Sequence, residues 1–348
     1  MPQLLPSVGR LSVLVAAAAV VAACADSSTT PSRDISPSVA NADANPWPEL
    51  NGPAAGPHIM HTKPWFAANG NGGAGNGRGG GGGGGGSTNN GISYHGGPVL
   101  QAETKVVAIY WGTSTIFNNG PTPGTTGNGS QDNSLVGFFL RNLGGSPYFN
   151  INSTYTDGSG RAINNAVNYV GFWANNSAPP SSPSDANMVA MLQNGFNTGK
   201  IAYDRNTLYA IFTGSGVNLG GGFGTQYCAY HYHGTVSSGT VLYAAMPYNQ
   251  QFPGACTNGS TSPNGDAAAD AEVNTLAHEV EETTTDQMGN AWFDVRGYEN
   301  ADKCAWSWGS TYTTANGGTA NIKVGGKDFL VQMNWINANG GGCRQSWP

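Results

Sequence analysis

Residues 275–286, TLAHEVEETTTD, set His278 and Glu282 four positions apart and put Glu279 directly after the histidine. On an α-helix, positions i and i+4 lie one above the other on the same face. Two side chains so placed can grip one metal ion, and the adjacent carboxylate can take a proton from a water that the ion acidifies. That is the logic of the H-E-x-x-H helix of zinc hydrolases. Here Glu282 stands where that pattern has its second histidine, so the motif is a variant. The spacing predicts zinc as cofactor, His278 and Glu282 as ligands, and Glu279 as general base and then general acid to the leaving group.

A third ligand is required. Glu299 lies 17 residues after Glu282, Asp302 lies 20 after it, and Asp286 is one turn on. A carboxylate at such a distance resembles the third ligand of glutamate-type zincins. His231 and His233, in the segment HYH, share a strand face at period two. An oxygen-rich site with one histidine is unusual for zinc, so a zinc site would recruit one of them. The competing reading is an exposed strand face rich in tyrosine and histidine. Tyr230 or Tyr232 is a candidate for stabilising an oxyanion. The longer metzincin pattern is absent, since the residue six beyond Glu282 is Met288.

The element that must present these groups is a helix over 267–285 with Asp266 as N-cap. Its apolar stripe is Val273, Leu276, Ala277 and Val280, and at ~100° per residue His278 and Glu282 fall on roughly the opposite side. That polar side is either solvated or lines a cleft. Only 10% of the chain is charged, against about 25% in an average soluble protein, so the clustering of acids here favours the cleft. Ahead of the helix, strands are expected at 105–112, within 162–173, and at 207–214, 227–234 and 240–248. Helices are expected at 134–143 and 185–197, and short strands near 320–324 and 328–335. This is an α+β domain with a zincin-like mixed sheet, an active-site-type helix and an irregular, disulfide-bonded C-terminal part.

Domain boundaries follow from composition. Arg10 precedes the apolar run 11–22, too short for a membrane span but suited to a signal peptide. The run ends in VAAC, which resembles a bacterial lipobox, so residues 1–24 read as a lipoprotein signal with Cys24 as the lipidated residue. Residues 25–91, rich in proline, glycine and asparagine with eight consecutive glycines from Gly79 to Gly86, read as a disordered tether reaching about 40–50 Å. The folded domain is placed at 92–348. Setting Cys24 aside leaves an even four cysteines, as expected in an oxidising compartment. Of three pairings, Cys228–Cys256 and Cys304–Cys343 are favoured because they close neighbouring segments on either side of the helix.

The formal net charge of −6, with 14 Lys plus Arg, argues against nucleic acid or an anionic membrane as partner. Contact with a membrane would run only through a lipid anchor. No serine-nucleophile signature is present, and the glycine-rich 214–224 lacks the Lys-Ser/Thr of a phosphate loop.

Several blocks are shared with one family. ISYHGGPVL with VVAIYWG, the segment HEVEETTTDQMGNAWFD, YENADKCAWSWG, GGKDFLVQMNW and the closing GGC resemble the exordium / phosphate-induced protein 1 family over about 92–345. Cys228 with His231 is similar to its Cys-x-x-His. The resemblance implies a secreted or cell-wall-associated protein, linked in plants to growth in the apoplast, without a settled activity. His231, His278, Glu279, Glu282, Glu299 and Asp302 match family positions. The expected function is an extracytoplasmic zincin-like metallohydrolase, leaning to a peptidase, acting on a peptide or cell-wall polymer. The alternative is a non-catalytic secreted or cell-wall-associated binding or signalling protein.

Overall fold

A computed structural model describes residues 56–69 and 91–348. The signal peptide, Cys24 and most of the expected tether lie outside the described residues. Seven strands form one sheet: β1 (His58–His61), β2 (Thr104–Trp111), β3 (Thr126–Asn128), β4 (Val167–Asn175), β5 (Thr207–Thr213), β6 (Tyr227–Val236) and β7 (Gly239–Met246). Their spatial order is β1-β6-β7-β5-β2-β4-β3. The four strands β7, β5, β2 and β4 run parallel; β3 on one edge, and β6 with β1 on the other, are antiparallel to their neighbours.

The parallel strands are apolar at nearly every position because both faces are covered. Val106, Ala108 and Tyr110 of β2 face α2 (Leu135–Leu143) and α4 (Ala267–Asp286), while Val107, Ile109 and Trp111 face α3 (Asp185–Asn197). A helix α1 (Lys63–Asn69) follows β1. On the α4 side several strands contribute alanine, at Ala108, Ala210, Ala229 and Ala244, which lets the helix approach the sheet closely. Val273, Leu276, Ala277 and Val280 fill that contact as the stripe predicts.

The expected elements are present with boundaries shifted by a few residues, and the sheet is mixed. Asp266 caps α4, accepting from the Ala269 N–H at 3.1 Å. Both favoured disulfides form, Cys228–Cys256 and Cys304–Cys343. They close loops of 28 and 39 residues, each stabilising by roughly 3–4 kcal/mol in a chain-entropy account.

One expectation is corrected. Residues 56–69, assigned to the tether, fold: His-Ile-Met-His alternates in the strand sense, buries its last three residues and pairs with β6. Of the two readings of the polar side of α4, solvated or enclosed, the structure shows the enclosed one. From Ala269 to Asp286 every residue is buried, because the C-terminal part closes over the side opposite the sheet.

Several of the buried polar groups of α4 are matched by partners on neighbouring elements. Asn152 Nδ2 donates to Glu281 Oε2 at 2.5 Å, the Thr104 and Thr284 hydroxyls pair at 2.8 Å, and Asn249 Nδ2 donates to Glu272 Oε2 at 3.3 Å. Burial pushes the Glu272 carboxyl well above its ordinary value of 4.5, outweighing the bonds from Asn249. A raised folded value contributes stability that is full below about pH 4.5 and lost as pH rises through the folded value. Glu272→Gln should flatten the stability profile between pH 5 and 8 and stabilise at the alkaline end. Urea unfolding at both pH values checks this, and an unchanged slope would contradict it.

Candidate metal centre

Three elements converge on the polar face of α4. Strand β6 directs Ala229 and His231 toward the helix and, by alternation, turns Tyr230 and Tyr232 to the other face. There the Tyr230 hydroxyl donates to Asp185 Oδ1 at 2.8 Å. Neither tyrosine reaches the site, so the oxyanion role expected of them is withdrawn. Strand β1 pairs His58 directly opposite His231, which puts both imidazoles on the α4 side, stacked with centroids 4.9 Å apart. The third element is the segment around Glu299 and the turn Asp302–Cys304. It is held by the Cys304–Cys343 disulfide and by the Trp335 N–H donating to the Asn300 carbonyl at 2.9 Å. The Cys228–Cys256 disulfide ties β6 down on the other side.

The result is a chain of facing groups. His278 Nε2 lies 2.9 Å from Glu282 Oε1 and 3.6 Å from Asp302 Oδ1. Glu282 Oε2 lies 3.6 Å from His231 Nδ1, and Glu279 Oε2 lies 3.2 Å from that same nitrogen. On its far edge His231 Nε2 is 3.8 Å from Glu299 Oε2, which is 2.8 Å from His58 Nδ1. Three groups offer ligand atoms mutually within 4.8 Å: His278, Glu282 and Asp302; His231, Glu279 and Glu282; and His58, His231 and Glu299. His231, Glu299 and Asp302 thus join His278, Glu279 and Glu282 of the helix. Two weaker candidates fall outside the three groups. His233 is only half-buried, and Asp286 Oδ1 accepts the N–H groups of Asn290 and Ala291 at 2.6 and 2.7 Å, capping the end of the helix.

Two residues were missed by sequence reasoning. His58 was hidden in the presumed tether; the available signal was that two of six histidines, His58 and His61, lie there in a strand-like alternation. Gln332 contacts His278 Nδ1 through its side-chain amide. Its oxygen and nitrogen exchange by a half-turn about the last bond, so it can hold either tautomer of the ring. Orientation by such an outer residue is usual for metal-ligating histidines.

The donor set fits a divalent cation. His231 Nε2, His278 Nε2, Glu279 Oε1, Glu282 Oε2, Asp302 Oδ1 and both oxygens of Glu299 are buried without a hydrogen-bond partner. The close approaches of His278 to Glu282 and of His58 to Glu299 are contacts without hydrogen-bond geometry. Burial and the neighbouring acids push the Glu279 and Glu299 carboxyls well above the usual range, although His278 pulls Glu279 back. Burial and Asp302 push Glu282 up to about 7, against His278. Burial pushes His58 down to about 4 and His231 well below its usual value, the latter aided by His58 and His278. Burial also opposes charge on His278, but Glu282 and Asp302 outweigh it and raise the ring. A bound dication reverses the strain on the acids, favouring carboxylate and neutral imidazole.

A family model for the phosphate-induced protein 1 conserved region matches residues 145–335, a span that contains every residue of the centre except His58. The chain belongs to the phosphate-induced protein 1 family. Protein EXORDIUM-like 3 of Arabidopsis thaliana is 27% identical over 159 residues, covering 38% of this chain and 47% of the relative. The chain thus spans about half the length of that relative. No solved structure matches.

Strand β1 is tied to the centre from outside as well. The Trp306 indole N–H donates to the His61 carbonyl at 2.8 Å, and the Lys63 ammonium sits over the Trp306 ring. Removing residues 1–69 should leave the β6 amides that face β7 protected from hydrogen exchange and expose those that face β1. Exchange read by mass spectrometry checks this; unchanged protection along the outer edge of β6 would contradict it.

Proposed function

We propose that this protein is an extracytoplasmic metallohydrolase, with zinc held by His278, Glu282 and Asp302 and with Glu279 as general base. The observation that carries the reading is the convergence of these three buried side chains, with His278 Nε2 and Asp302 Oδ1 unpaired, beside a carboxylate with one free oxygen. Glu279 Oε2 accepts from His231 Nδ1 at 3.2 Å, which orients the side chain and leaves Oε1 without a partner. That oxygen is the one to take a proton from water and return it to the leaving group. The ion, when bound, supplies an acidified water and a Lewis acid for a substrate carbonyl. Glu282 accepts the Asp302 N–H at 3.0 Å, which fixes the two carboxylates relative to each other, and Gln332 fixes the His278 ring.

The side chains of His58 and Asp302 are 16% and 11% exposed, and those of His231, His278, Glu279, Glu282 and Glu299 are at most 2% exposed. A substrate would therefore enter between β1 and the Asp302 turn. The helix presenting ligand, base and ligand in one turn and a half, packed on a mixed sheet, supports the zincin-like reading and a peptide or other acyl substrate. The two disulfides are compatible with an extracellular or secreted protein, and among the described residues no helix is long and apolar enough to cross a membrane. A lipid anchor at Cys24 remains part of the proposal.

Glu279→Gln should retain zinc and lose hydrolysis of a quenched peptide library by at least about 100-fold, the usual contribution of a general base. His278→Ala should lose hydrolysis together with the zinc held by Glu282 and Asp302. Zinc content by mass spectrometry and peptide cleavage check the pair. Activity in Glu279→Gln equal to the unsubstituted protein would refute the base. Metal retained with no cleavage of any acyl substrate would favour a non-catalytic secreted binding protein.

A further inference from the structure

His58 and Glu299 are not used by the proposed hydrolytic site, and His231 enters it only through its Nδ1 contact with Glu279. We propose that the protein holds a second divalent transition-metal ion between His58, His231 and Glu299, next to the position formed by His278, Glu282 and Asp302. The two triads share no residue. In the second, His58 Nδ1 and His231 Nε2 approach Glu299 Oε2 at 2.8 and 3.8 Å. Ligands at ~2.0 Å in a tetrahedral arrangement lie about 3.3 Å apart, so this spread brackets what one ion requires.

Four observations point to a ligand there. First, both oxygens of Glu299 and the Nε2 of His231 are buried without hydrogen-bond partners, so the short contacts do not satisfy the groups that make them. Second, His231 donates Nδ1–H to Glu279 Oε2 at 3.2 Å, which leaves the Nε2 lone pair directed at Glu299. A carboxylate behind a histidine, setting its tautomer for the metal in front, is the usual outer arrangement of a metal site. Third, the backbone fixes the pair of rings: His58 and His231 are directly opposed across the β1–β6 ladder. Fourth, charge closes. Glu279, Glu282, Glu299 and Asp302 carry four negative charges when ionised, and one dication leaves two of them uncompensated. Two dications with neutral imidazoles leave the cluster neutral, as burial demands. Two imidazoles and a carboxylate suit zinc, cobalt or iron rather than calcium or magnesium.

The second ion ties the N-terminal strand to the centre, and its ligand His231 is the residue that orients Glu279. This inference extends the proposed function but does not depend on hydrolysis, and metal counting separates the two. The full chain, dialysed against Zn²⁺ and then metal-free buffer, should retain two zinc ions per molecule by mass spectrometry. His58→Ala and Glu299→Gln should each retain one, and His278→Ala should retain one. Loading His278→Ala with Co²⁺ should give a single visible d–d spectrum that disappears when His58 is also replaced. Protection of the outer β6 amides in His58→Ala verifies that β1 is still docked, and Glu299→Gln gives the same reading without touching the strand. One ion, lost in His278→Ala and kept in His58→Ala and Glu299→Gln, would overturn the second position and leave the proposed function standing. One ion, lost in His58→Ala and kept in His278→Ala, would support the second position and remove the hydrolytic one. Two ions in every single variant, or none in the unsubstituted chain, would overturn the proposal.

Discussion

Four carboxylates and three imidazoles withdrawn from water around one turn and a half of α4 set the terms for the rest of the structure. An unpaired ionised carboxylate in a low-dielectric site costs several kcal/mol even after relaxation, and Glu279, Glu282, Glu299 and Asp302 face one another with only histidines between them. Such a face can be enclosed by protonating the acids or by holding cations. The unpaired atoms favour the second. Glu281 on the same helix differs in having an amide donor: Asn152 Nδ2 donates to one of its carboxyl oxygens at 2.5 Å. The cluster beside it has no amides placed in this way at its inward-facing oxygens.

The surrounding fold can be understood as the frame for that enclosure. Alanines on the sheet bring α4 close, and alternation along β6 sends His231 toward it while reserving Tyr230 and Tyr232 for the α3 layer. The C-terminal part has little regular structure of its own, only two- and three-residue ribbons. A disulfide at Cys304, two residues beyond Asp302, compensates for that by fixing the turn that carries an acid into the centre. The second disulfide begins three residues before His231. Each cross-link therefore stands beside a ligand-bearing segment and limits how far the like-charged groups can move apart.

Much of this was legible in the sequence, for definite reasons. The stripe Val273, Leu276, Ala277 and Val280 fixed both the extent of α4 and the side on which His278 and Glu282 lie. The near-continuous apolar runs at 105–112 and 207–214 marked strands covered on both faces. What escaped was what only tertiary packing decides. By periodicity a helix side bearing His278, Glu279 and Glu282 is either solvated or lines a cleft, and only the docking of 299–302 and 332 decides for burial. The strand at 58–61 is four residues long and is embedded in proline- and glycine-rich sequence, where composition speaks for a linker. Its register against β6, and so the meeting of His58 with His231, is a long-range pairing across more than 170 residues that no local pattern encodes.

The central claim is that the buried acidic face of α4 is stabilised by a bound metal ion. Diffraction from crystals of the zinc-loaded protein, recorded on either side of the zinc absorption edge, tests it most directly. An anomalous peak in contact with His278 Nε2, Glu282 Oε1 and Asp302 Oδ1 is the expected result. Absence of such a peak, with the carboxyl groups of Glu279, Glu282, Glu299 and Asp302 instead hydrogen-bonded to one another as protonated acids, would contradict it.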